Sequence, residues 1–151
     1  MNALATLLGR LLLAAVFIWA GWGKLDGFSS AFVYLKQGDI FAIWGKIPGL
    51  AATAQMIASK GLPMPNLLAA AAIVVELIGG FMIAIGWKTR LAAFAILAFI
   101  IVVSLFFHNF WMMTGQDAYI NTIMFLKNMG LAGGMLYLIA HGPGSISVDR
   151  N

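Results

Sequence analysis

There is no cysteine in these 151 residues. That absence excludes disulfides, thiolate metal sites, iron–sulfur ligation by thiolates and any thiol relay carried by this chain. Charge is scarce as well: charged residues make up 9% of the chain, against about 25% in an ordinary soluble domain. The nine Lys and Arg are scattered singly, so the net charge of +4 forms no basic stripe and offers nucleic acid no footing. Gly-rich phosphate loops, nucleophile elbows and paired catalytic carboxylates are missing. What fills the chain instead is apolar, 62% of residues with a mean hydropathy of +0.96. A soluble globule is excluded, and lipid is the solvent over much of the surface.

About 20 residues at 1.5 Å each cross a hydrocarbon core of roughly 30 Å. Four segments reach that length, at about 4–23, 67–86, 90–108 and 121–140. The expected fold is therefore all-α, a polytopic membrane protein with four helices in one antiparallel bundle over 1–151. Arg10 before the apolar run Leu11–Gly23 also suits a secretory signal, but no small-x-small cleavage pattern follows Trp22, so the segment is kept as the first helix.

The connections differ. Between spans two and three there is only Trp87-Lys88-Thr89, a turn that forces antiparallel neighbours. Between spans one and two runs the long stretch 24–66, and its apolar spacing predicts structure. Phe28, Ala31, Phe32 and Leu35 fall on one helical face, and a second short amphipathic helix runs from Leu50 through Ala54, Ile57 and Ala58. Pro48-Gly49 divides the two, and Gly61, Pro63 and Pro65 stop the second. Both are expected to lie along the membrane interface.

Lys and Arg asymmetry sets orientation, and the count is even: Arg10, Lys88, Arg90 and Arg150 on one side, Lys24, Lys36, Lys46 and Lys60 on the other. Two cations in a very short turn, with none in the connection between spans three and four, place both termini in the cytoplasm.

A charge at the centre of a membrane helix costs about 2.5–3.5 kcal/mol on insertion scales, so each needs a reason. Glu76 falls near the midplane of span two, Lys127 lies about 9 Å deep in span four, and Arg10 enters span one from the opposite side. Glu76 shares a face with Gly79 and Gly80, and Lys127 with Gly130 and Gly134; small residues mark close helix approach in lipid. The spacing predicts a buried cluster of Arg10, Glu76 and Lys127. Two readings stand, a structural ion triad and a polar pocket in which the surplus cation seeks an anion or polar ligand.

His108 closes span three within an aromatic run, Phe106-Phe107-His108-Asn109-Phe110-Trp111, which suits an interfacial belt. Lys24, Lys127 and Asn128 are expected on the same side, so four polar groups from three helices converge there. A metal site is not expected, because His141 lies at the opposite end and no carboxylate accompanies His108 at ligand spacing. The nine Met are read as packing.

A series of short motifs runs through the chain in order. They are Gly9-Arg10, Phe17-x-x-Ala20-Gly21-x-x-Lys24-Leu25, Gly61-Leu62-Pro63-x-Pro65, Glu76-x-x-Gly79-Gly80, Thr89-Arg90, His108-x-Phe110-Trp111, Phe125-x-Lys127-Asn128 and Gly133-Gly134. Together these resemble the DoxX family of small bacterial membrane proteins. The resemblance implies four membrane helices in the bacterial inner membrane. It also implies an accessory role: relatives include a membrane subunit associated with thiosulfate:quinone oxidoreductase and a membrane component grouped with superoxide dismutase and a sulfurtransferase. A shared fold does not carry activity with it.

The resulting expectation is an accessory or anchoring subunit rather than a self-sufficient enzyme. It has no intrinsic cofactor, docks a redox or stress-response partner or further copies of itself, and takes a quinone or lipid headgroup near Lys24, His108, Lys127 and Asn128. The alternative is a small proton-coupled transporter that uses Glu76, separable by a flux assay on Glu76→Gln. General acid or base catalysis by His108 at the membrane surface is a third reading.

Overall fold

The computed structural model describes residues 3–25 and 49–149. Among these the elements are helices only: α1 (Ala3–Gly23), α2 (Leu50–Ser59), α3 (Pro65–Ile85), α4 (Thr89–Phe106), a 3-10 turn (Phe110–Met112) and α5 (Gly115–His141). Four of them, α1, α3, α4 with its 3-10 extension, and α5, are long and apolar enough to cross a membrane. The helix expected around Phe28–Leu35 lies outside the described residues, whereas the second short helix is present as α2.

Local chemistry sets the helix ends. Pro65 opens α3 at a position whose N–H has no intrahelical partner in any case. Gly86 closes it with φ +73°, its N–H donating to Ile83 O while Trp87 N–H donates to Met82 O, the paired bonds of a Schellman cap. Glycine is required there twice over, because a Cβ would also sit 2.6 Å from Arg10 Nη1 and collide with the Ser147 side chain. The fourth span starts earlier than its apolar boundary suggested: the polar stretch from Gly115 to Ile120 is helical, and Asn121 and Thr122 each bond a carbonyl four residues back. Hydropathy marks where lipid ends, and a helix is free to continue past that point.

Glycines bring the spans together. α1 runs antiparallel to α3, with Gly21 against Glu76 and Leu77, and Gly80 against Ala14 and Ile18. Gly79 meets Ile96 of α4, and Gly134 of α5 meets Leu13 of α1. The shared core contains Phe17, Ile83, Ala93, Ile96, Met135 and Leu138. Outward, large apolar side chains such as Leu12, Phe81, Phe94 and Leu126 are exposed, as a lipid-facing surface requires.

The register of α1 on α3 matters for the site. Gly21, near the end of α1, is level with Glu76 in the middle of α3, so α1 stops partway along its partner. Alongside the first part of α3 lies α2 instead, whose Ala54 and Ile57 bury against Ala69 with Leu62 and Phe107 around them.

Candidate functional site

A lysine just past a helix end reaches back, because side chains lean toward the helix N-terminus. Lys24 does so: its Nζ donates to Glu76 Oε2 at 2.7 Å, to Oε1 at 2.9 Å and to Ala20 O at 3.2 Å. All three ammonium protons are used. The two side chains are 16% and 5% exposed, so this is an ion pair inside the bundle, made possible by the side-chain-free approach of Gly21.

The predicted triad of Arg10, Glu76 and Lys127 is not what forms. By the same lean, Arg10 points away from Glu76 toward the start of α1, where its Nη1 donates to Pro143 O and Nη2 to Ile146 O, both at 2.8 Å. Arg10 is 2% exposed, and its Nε is buried with no partner among the described residues. Lys127 is on the outer face of α5, exposed, and contacts Met124 Sδ at 3.4 Å. The inward face of that helix belongs to Asn128, Ala132, Met135 and Leu138. Gly130, which shares a stripe with Lys127, faces open space; only Gly134 marks a packed contact.

The four groups expected to converge near the other end take separate partners. Lys24 holds Glu76, Asn128 Nδ2 donates to Ser104 Oγ at 3.1 Å in a buried bond between α5 and α4, and Lys127 points outward. His108 Nδ1 lies 2.9 Å from Asn121 Oδ1, while Asn121 Nδ2 donates to Asp117 O. Asn121 therefore presents an acceptor to the His108 Nδ1–H, and Nε2 is the ring's second polar atom. Phe110, Trp111 and Phe125 stack edge to face beside it, with centroids 5.2–5.8 Å apart. No group of three or more His, Asp or Glu among the described residues could hold a metal ion.

The C-terminal segment was missed in the sequence. After α5 the chain turns back across the α3–α4 junction, where Val148 N–H donates to Ile85 O and Asp149 N–H to Gly86 O. The Asp149 carboxylate accepts from the N–H groups of Lys88 and Thr89 and from the Thr89 hydroxyl at 2.8–3.0 Å. It caps α4 from the far end of the chain. The Thr89 N–H first of all, then the Lys88 N–H, the Thr89 hydroxyl and the Arg10 charge, hold this carboxyl below the usual carboxylate range, against an opposing effect of burial that is second only to the Thr89 N–H. No local motif signals a cap supplied from sixty residues away, and Ser104 and Asn121 looked like incidental polar residues near helix ends.

Four apolar spans, glycine-mediated contacts and the Lys24–Glu76 ion pair inside the bundle define a polytopic helical membrane protein. The chain belongs to the DoxX family, whose model matches residues 5–109. It is 40% identical over 113 residues to the inner membrane protein YphA of Escherichia coli, covering 74% of this chain and 81% of that protein. It is 29% identical over 144 residues to the inner membrane protein YqjF of the same organism, covering 95% and 88%. A shorter similarity, 30% over 71 residues, links it to a Surfeit locus protein 4 homologue of Schizosaccharomyces pombe and covers 46% of this chain and 24% of that one. No solved structure matches.

Proposed function

We propose that this chain is an accessory or anchoring subunit of a redox or stress-related complex in the bacterial inner membrane, with both termini cytoplasmic. The observation that carries the reading is the Lys24–Glu76 pair. With both carboxylate oxygens and all three ammonium protons engaged, Glu76, the acid in the middle of α3, serves as a tie between α1 and α3 and is poorly placed to carry protons across the membrane. That weighs against the proton-coupled transporter. The names of the E. coli relatives support the inner membrane, and Lys88 and Arg90, both exposed at the α3–α4 turn, support the orientation through the excess of cations on cytoplasmic loops.

A quinone fits the end of the bundle that holds His108. His108 Nε2, with no hydrogen bond among the described residues, suits a polar contact to a quinone ring oxygen, and the aromatic trio offers a flat apolar wall. The test is purification from native membranes in mild detergent, with mass spectrometry of proteins and extracted quinones. Recovery of an oxidoreductase subunit, with quinone lost in His108→Ala, is the expected result. Repeated recovery of the lone protein without quinone contradicts the reading.

A further inference from the structure

At the end of the bundle opposite His108, the start of α1, the end of α3 and the C-terminal segment enclose an open cleft of about 620 Å³. Its walls are mostly apolar, formed by Leu7, Ala84, Ile85, Ile146 and Val148; Ser147, whose hydroxyl donates to Gly144 O, and the cationic Arg10 complete the lining. Among the described residues Arg10 forms no ion pair: Nη1 and Nη2 each give one N–H to a backbone carbonyl, which leaves a second N–H on each, and the Nε–H is buried without an acceptor. A buried donor left unsatisfied costs about 1–3 kcal/mol. The nearby acid, Asp149, already spends its carboxylate on Lys88 and Thr89. Lys88 and Arg90 add positive charge at the same end, and Lys88 lies 5.3 Å over the Trp87 ring, an arrangement typical of the headgroup layer. The cleft therefore combines an apolar wall, an interfacial position and a cation short of an acceptor.

We propose that this cleft binds one anionic phospholipid, with an acyl chain along Leu7, Ala84 and Ile85 and a phosphate oxygen accepting from Arg10. The site is remote from His108 and stands independently of the accessory-subunit reading. Val148 is 58% exposed at the rim, so its side chain can be changed while the backbone bonds of the segment stay.

The experiment uses the full chain in dodecyl maltoside, with phosphatidylglycerol, phosphatidylcholine or inorganic phosphate added, read by melting temperature and by native mass spectrometry. Phosphatidylglycerol is expected to raise the melting temperature by about 2–4 °C and to leave one lipid bound, with neither effect from the other two additives. Val148→Glu should lower lipid retention roughly tenfold and Val148→Lys should raise it, both melting like the wild type without lipid; a merely structural effect would not change sign with the charge. Arg10→Lys, which keeps a charge but removes the guanidinium's donor array, should lose retention, and if it fails to fold the Val148 pair carries the test. Equal stabilisation by phosphatidylcholine, an equal effect of inorganic phosphate alone, or retention indifferent to the charge at 148 overturns the proposal.

Discussion

Lys24 Nζ lies 2.7 and 2.9 Å from the two carboxylate oxygens of Glu76, joining the end of α1 to the middle of α3. Two desolvated charges seldom add net stability compared with well-packed apolar residues, but removing one of them strands the other at a cost of about 3–5 kcal/mol. In lipid the stranded charge has no water to turn to, and register is the property such a pair fixes best.

That register depends on Gly21. A Cβ there would lie 2.8 Å from Leu77 Cγ and 3.1 Å from the Leu77 backbone nitrogen, so Gly21→Ala must push α1 off α3. The expected loss is about 1–3 kcal/mol, measured by denaturation in detergent, with an additional loss on Gly21→Val.

At the other end, Gly86→Ala introduces a side chain at φ +73° and against Arg10 and Ser147. Strain and collision together should cost about 2–4 kcal/mol and release the C-terminal segment, read as faster proteolysis beyond His141. Gly130→Ala faces open space and should be near neutral by both measures.

The Asp149 cap makes stability depend on pH. Its carboxyl pKa is lowered by folding, chiefly by the Thr89 N–H, so its contribution is complete above the unfolded value near 3.9 and fades as pH falls through the lower folded value. The melting temperature of wild type should drop on acidification through that window, and the drop should be smaller in Asp149→Asn. Equal acid sensitivity of the two proteins would exclude the cap as its source.

If Glu76 is a tie and not a proton carrier, wild-type protein in liposomes should show no proton-linked flux, and Glu76→Gln should change stability alone. A pH-gradient assay with a fluorescent reporter checks this, and flux in the wild type that vanishes in Glu76→Gln would restore the transporter reading.

The four spans were legible because a period of about 20 apolar residues answers directly to bilayer thickness. The faces of Glu76, Gly79 and Gly80 were legible for a similar reason, since small residues let helices approach. Partner choice was not. Depth and face allowed Arg10, Glu76 and Lys127 to meet, but the lean of side chains toward the helix N-terminus carries Arg10 toward the start of α1 and brings Lys24 back onto Glu76. Asn128, adjacent to Lys127, took the inward position, which one step of about 100° denies to the lysine. The Asp149 cap joins positions sixty residues apart and left no local trace.

A double-mutant cycle on Lys24→Met and Glu76→Gln, measured by reversible denaturation in detergent, tests the structural tie most directly. The tie predicts that each single change costs about 3–5 kcal/mol and that the double variant recovers at least about 2 kcal/mol of their sum. Additivity within about 0.5 kcal/mol would contradict it.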